Sequence, residues 1–116
     1  MNCYKSLVTV NNNSNEVNIT DYEEESYLYY VDSDADKTVN IYDYKNNILK
    51  RDNNSIYLEL KFDVNKKTKG TMEIKELDKK IDLDIETKKL IKTDKLLEIR
   101  YILNDDEFIY KIEVGD

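Results

Sequence analysis

The chain contains no histidine, no tryptophan and no proline, and only two glycines and one cysteine in 116 residues. Each shortage removes a class of chemistry. Without histidine, the commonest general base near neutral pH and the commonest zinc ligand are missing, so serine or cysteine catalysis through an imidazole is excluded. Gly70 and Gly115 alone cannot build a dinucleotide-binding fingerprint or a phosphate-binding loop. Cys3 has no second cysteine to pair with, which suits a reducing compartment, and nothing beside it marks it as a nucleophile.

Long apolar runs are also missing. The longest is Tyr27 to Val31, whereas a membrane helix needs roughly 20 such residues. The stretch Met1-Asn2-Cys3-Tyr4-Lys5 has no charged start followed by an apolar core. No signal peptide is therefore expected, and the expected location is cytoplasmic.

Positive charge is in short supply. The formal net charge is -7 and the sequence pI about 4.7. Excess carboxylates repel phosphate backbones and anionic lipid, so neither nucleic acid nor a membrane is an expected partner. Charged residues make up 37% of the chain and hydrophobic ones 40%, which implies a small core inside a very charged surface. The length suits one domain, residues 1–116, with no linker or internal repeat.

What is present is a two-residue alternation. Apolar residues recur at Ile56, Leu58, Leu60 and Phe62, at Met72 and Ile74, and at Ile81, Leu83 and Ile85. They recur again at Leu97, Ile99, Tyr101 and Leu103, and at Phe108, Tyr110, Ile112 and Val114. Side chains on a strand alternate between faces, so this pattern specifies strands with one dry face and one wet face. Further strands are expected at Tyr4 to Val10, from Val17 and Ile19, at Tyr27 to Val31, Thr38 to Tyr44 and Ile48 to Lys50. Thr71 to Lys75 is expected to carry the Met72 pair. Turns are expected at Asn11 to Asn15, Asn46-Asn47, Asp52 to Ser55 and Asn104 to Asp106, where Asn tolerates positive φ in place of Gly, and a charged corner at Asp21 to Glu25. Glu76 to Lys95 is rich in helix formers. A helix would throw Leu83 to the wrong side, so a strand is the better reading, with a single helical turn near Thr87 to Leu90 left open. About eight to ten short antiparallel strands imply a sandwich or barrel, and closure into a barrel removes edges that a chain without proline has few other ways to protect.

The stretch Asn47-Ile-Leu-Lys-Arg51, then Ile56-Tyr-Leu-Glu-Leu-Lys-Phe62 and Gly70-Thr-Met-Glu-Ile74, has a recognisable layout. Lys80-Ile-Asp-Leu-Asp-Ile-Glu86, Leu97-Glu-Ile-Arg-Tyr-Ile-Leu103 and Tyr110-Lys-Ile-Glu-Val114 continue it. Together they resemble the YwiB-like family, small bacterial proteins with a domain of unknown function. The likeness runs from Leu49 to Val114 and is looser over Tyr4 to Tyr44. It implies a lipocalin-like, calycin-type β-barrel and transfers no catalytic residue. The chain departs from the family at Asp52, where Gly is usual, and at Thr68-Lys69-Gly70, which is shorter and lacks a Pro.

Candidate sites are few. Phe62, Tyr101, Phe108 and Tyr110 share the apolar phase and are the expected lining of a ligand cavity, the partner being a small apolar or aromatic molecule. The competing reading is core filling by the same rings. Tyr27, Tyr29 and Tyr30 straddle both faces, and Tyr42 and Tyr44 oppose Val39 and Ile41 in parity. Asp32, Asp34 and Asp36, followed by Asp43, resemble a calcium loop, but Lys37 stands where Gly is needed and Asp43 where Glu is usual. A solvated hairpin tip is the better reading, and no metal site is assigned. Asp82, Asp84 and Glu86 read as a solvated strand face, and Lys66 to Lys69 as a charged loop tip. Glu73 and Glu98 have outward parity, so an acid–base pair for glycoside hydrolysis is not supported. No cofactor is implied and no enzyme is expected. The alternative to a ligand-binding barrel is an interaction or structural module using outward Tyr57, Ile102 and Ile109, or self-association.

Overall fold

The computed structural model describes residues 2–115. Ten strands follow one another along the chain: β1 (Asn2–Val10), β2 (Asn13–Tyr22), β3 (Tyr27–Val31), β4 (Val39–Asp43), β5 (Ile48–Asp52), β6 (Ile56–Lys61), β7 (Thr68–Ile74), β8 (Lys79–Lys92), β9 (Leu96–Leu103) and β10 (Asp106–Val114). Each pairs antiparallel with the next, and β1 pairs with β10 to close the barrel. The closing register runs from Ser6 opposite Val114 to Val10 opposite Tyr110. Closure leaves no unpaired edge, the liability a chain without proline must otherwise manage.

The alternation read in the sequence becomes the inner wall. Leu60, Phe62, Leu83, Ile85, Leu97, Ile99, Tyr101, Tyr110 and Ile112 are buried together with Val8, Val17, Ile19, Tyr30, Tyr42 and Leu49. Fully burying one such large apolar side chain contributes about 1.5–3 kcal/mol. The surface carries the charge, part of it in exposed ion pairs such as Lys5–Glu16 and Lys69–Asp84, each a small contribution.

With so little glycine, the turns use other residues for left-handed backbone. Asn11, Asn47, Asp78, Asn104 and Asp105 all have positive φ, as do Ser26 and Lys37. Asn and Asp bear this best because their short polar side chains bond locally. Asn104 and Asp105 form the two-residue turn between β9 and β10, with φ of 46° and 77°, the geometry that matches strand twist. Gly70 faces inward for a different reason. A Cβ there would sit 2.7 Å from the Glu59 backbone oxygen.

Several boundaries differ from the sequence reading. β2 starts at Asn13, not Val17, because Asn13 to Glu16 pair with Leu7 to Val10 across a turn of only Asn11-Asn12. Asp21 and Tyr22 remain in that strand, and the corner begins at Glu23. β7 starts at Thr68, within the region assigned to a loop tip, since Thr68 and Lys69 pair with Ile85 and Asp84. The helical turn lies at Lys75–Leu77 rather than near Thr87 to Leu90.

Thr87 to Leu90 holds a β-bulge instead. The register of β8 against β9 shifts between Thr87 and Lys89. Leu83, Ile85 and Thr87 face inward before the bulge. After it, Leu90 and Lys92 take the inward phase, opposite Ile99 and Leu97. One extra residue therefore turns Ile91 out and Lys92 in.

Candidate functional site

The interior divides into three zones along its axis. The central zone is filled. Phe62 packs tilted against Tyr101 at 4.9 Å between ring centroids, and Tyr101 stacks on Phe108 at 5.6 Å. The hydroxyls of Tyr30 and Tyr110 meet at 2.6 Å. Burial, with smaller contributions from neighbours, pushes the Tyr30 and Tyr110 hydroxyls well above the ordinary tyrosine range and that of Tyr101 to about 12. The four residues singled out in the sequence are thus brought together, with Tyr110 bonded to Tyr30 rather than stacked on the other three. Tyr101 and Phe108 also reach a depression of about 480 Å³ at the rim beside Asn11 and Arg100. None of the four lines the cup described below.

One end of the barrel carries a polar cluster. Arg51 follows Leu49 in the inward phase of β5 and lies opposite Asn40 on β4 and Leu58 on β6. Its Nε donates to Asn40 Oδ1 at 2.8 Å and its Nη2 to Asp32 Oδ2 at 2.8 Å. Asn40 Nδ2 donates to Asp32 Oδ1 at 3.0 Å. Asp32 therefore ties the β3–β4 loop to the barrel wall. It does not converge with Asp43, which sits at the far end of β4 and accepts the backbone N–H groups of Lys45 and Asn46. Among the described residues no group of three potential metal ligands is gathered anywhere.

The other end is open. A cup of about 380 Å³ is walled by Ile19, Leu28, Tyr42, Leu97, Ile112 and Val114, with Tyr4 at its edge. Its volume falls in the range of small-ligand sites. Ten strands make a wider barrel than eight, so the core residues close the centre without filling this end. Tyr42 is wholly buried, donates to Asn47 Oδ1 at 2.9 Å, and has its hydroxyl pushed well up by burial and the nearby Asp43.

Polar groups are confined to the rim: Asp21, Glu23, Tyr44, Lys92, Thr93 and Asp94. Asp21 continues the inward row of Val17 and Ile19, and the bulge in β8 delivers Lys92. The Lys92 ammonium lies 3.5 Å from the centroid of the Tyr44 ring, a cation–π contact. Tyr44 Oη donates to Asp21 Oδ1 at 3.1 Å. Burial, the bond to Asp21 and the charges of Asp21 and Glu23 raise the Tyr44 hydroxyl to about 12. Burial lowers the pKa of Lys92, partly offset by Asp21.

Sequence reasoning did not single out Arg51, Asn40 or Lys92 as interior groups. A five-residue strand gives too short a period to show that Arg51 shares the phase of Leu49. The bulge hides Lys92, whose position in an unbroken strand would face solvent.

The remaining sequence candidates lie outside. Glu98 is on the outer wall, where Arg100, at 3.0 Å, and Lys89, at 3.3 Å, cover it and hold its carboxyl below the usual range. Glu73 lies on β7 opposite Tyr57 and Lys80, with β8 between it and β9. Asp84 pairs with Lys69, and Glu86 with Lys88.

No helix among the described residues is long and apolar enough to cross a membrane. The chain matches no known protein-family profile, no curated protein and no solved structure.

Proposed function

We propose that this protein is a lipocalin-like binding barrel of the YwiB-like kind, acting in the cytoplasm, that holds a small ligand with an apolar or aromatic body in the cup beside Lys92. The observation that carries this reading is the cup itself: apolar walls, an open mouth and polar groups only at the rim. Specific small-molecule sites share that distribution, with a large apolar lining and a few placed polar groups. The ligand position differs from the one expected from the sequence, because Phe62, Tyr101, Phe108 and Tyr110 spend their surfaces on one another and on Tyr30. The reading is one of binding rather than catalysis. The charged side chains at the mouth are one amine and three carboxylates, beside the hydroxyls of Tyr44 and Thr93, and the chain offers no imidazole.

The test is titration with n-octanol, followed by amide chemical shifts. Perturbations centred on the lining residues, among them Ile19, Leu28, Tyr42, Leu97 and Ile112, are expected, and they should vanish in Val114→Trp, which fills the cup from its rim. An unperturbed spectrum in a folded protein would sink the proposal. A second reading, a surface interaction module, draws on the outer wall of β3 and β4. There Tyr29 opposes Ile41 and Val31 opposes Val39, with Val31 36% exposed. It predicts concentration-dependent sedimentation, which the cup does not require.

A further inference from the structure

Resting on the reading of the cup as a small-ligand site, we propose that its ligand carries an ammonium head group, which binds on the Tyr44 ring beside Asp21 in the place now taken by Lys92. The rim decides the sign of the head group. Three carboxylates, Asp21, Glu23 and Asp94, surround one ammonium, so an anionic head would meet net repulsion and a cationic head net attraction. The recognition element is already assembled from two separate segments, the turn after β4 and the end of β2. The face of Tyr44 offers a cation–π platform, and its hydroxyl is anchored on Asp21 at 3.1 Å. The Lys92 ammonium shows that a cation fits the platform, at 3.5 Å from the ring centroid.

Lys92 is also the group best able to leave. It is the last residue of β8, keeps much of its surface exposed, and among the described residues forms no close ion pair with Asp21. The cost of holding its ammonium against the barrel shows in its lowered pKa. A ligand whose own ammonium is tethered to an apolar body in the cup replaces that contact. It returns Lys92 to water and fills the walls at the same time. Lys92 therefore acts as a resident competitor that excludes apolar molecules lacking a cation.

The experiment compares octylamine, n-octanol and octanoate by calorimetry on the full chain, below their aggregation limits. The expected order is amine, then alcohol, then carboxylate, with the amine about tenfold tighter than the alcohol, as one cation–π contact plus a neighbouring carboxylate supplies. Lys92→Met removes the competitor and is expected to tighten octylamine severalfold. Tyr44→Leu removes the platform and should bring the amine down to the alcohol, whereas Tyr44→Phe should keep most of the preference. Equal affinities for amine and alcohol would overturn the head-group assignment while leaving the cup intact. Octanoate binding best, and losing its affinity in Lys92→Met, would overturn it in favour of Lys92 as an anion anchor. Failure of all three probes would instead remove the ligand-binding reading on which the proposal rests.

Discussion

The hydroxyls of Tyr30 and Tyr110, eighty positions apart in the chain, share one hydrogen bond of 2.6 Å in the buried centre of the barrel. They join β3 to β10 across the interior, between strands that are not neighbours in the sheet. The pair satisfies two buried polar groups, and this makes its members unequal to ordinary core residues.

Removing one hydroxyl strands the other. Tyr110→Phe and Tyr30→Phe are each expected to cost about 1–3 kcal/mol, the penalty of an unpaired buried polar group. The double replacement by Phe should recover most of that loss, because both polar groups then disappear together. Denaturant unfolding of the four proteins checks this. A double variant as unstable as the sum of the singles would show that each hydroxyl has some other essential partner.

Alkaline stability follows from the same residues. Tyr30, Tyr42, Tyr44, Tyr57, Tyr101 and Tyr110 all have raised pKa values, mainly through burial. A raised folded-state value means that the native chain keeps protons the unfolded chain has released. Their contribution is complete below the ordinary tyrosine value near 10 and is lost as pH climbs from there toward about 12, the value for Tyr101. The melting temperature should therefore fall steeply above about pH 10. The phenolate absorbance of these six tyrosines should rise cooperatively with unfolding, not ahead of it. Gradual ionisation of these six in a folded barrel would contradict this.

Gly70 tests the packing at the β6–β7–β8 junction. An added methyl would approach the Glu59 backbone oxygen to 2.7 Å and the Ile85 and Leu60 side-chain tips to 3.0 and 3.1 Å. Backbone cannot yield as a side-chain tip can. Gly70→Ala is expected to cost about 1–3 kcal/mol through overpacking, even though Ala has the better intrinsic preference. Thermal unfolding reads it directly, and an unchanged melting temperature would mean that the β6–β7 ladder slides easily.

The local pattern was legible where strands are long and regular. Leu97 to Leu103 and Phe108 to Val114 have the inward and outward faces that two-residue alternation demands. The positive-φ turns were legible too, because Asn47, Asn104 and Asp105 are residue types that tolerate such backbone. The candidate site was largely illegible. Phe62, Tyr101, Phe108 and Tyr110 were placed inside by their phase, but phase does not say whether a ring lines a space or fills one.

By itself the sequence determined that this chain is built of antiparallel strands with one apolar face, that its surface is acidic, and that imidazole chemistry is absent. These follow from local periodicity and composition, which need no knowledge of partners. Tertiary structure alone decided the register in which β1 closes on β10 and that Tyr30 meets Tyr110. It also set Arg51 inside and turned Lys92 over the cup through the bulge at Thr87 to Lys89. The physical reason is register. A single inserted residue reverses every side chain beyond it, and only the neighbouring strand determines whether that residue is paired or bulged.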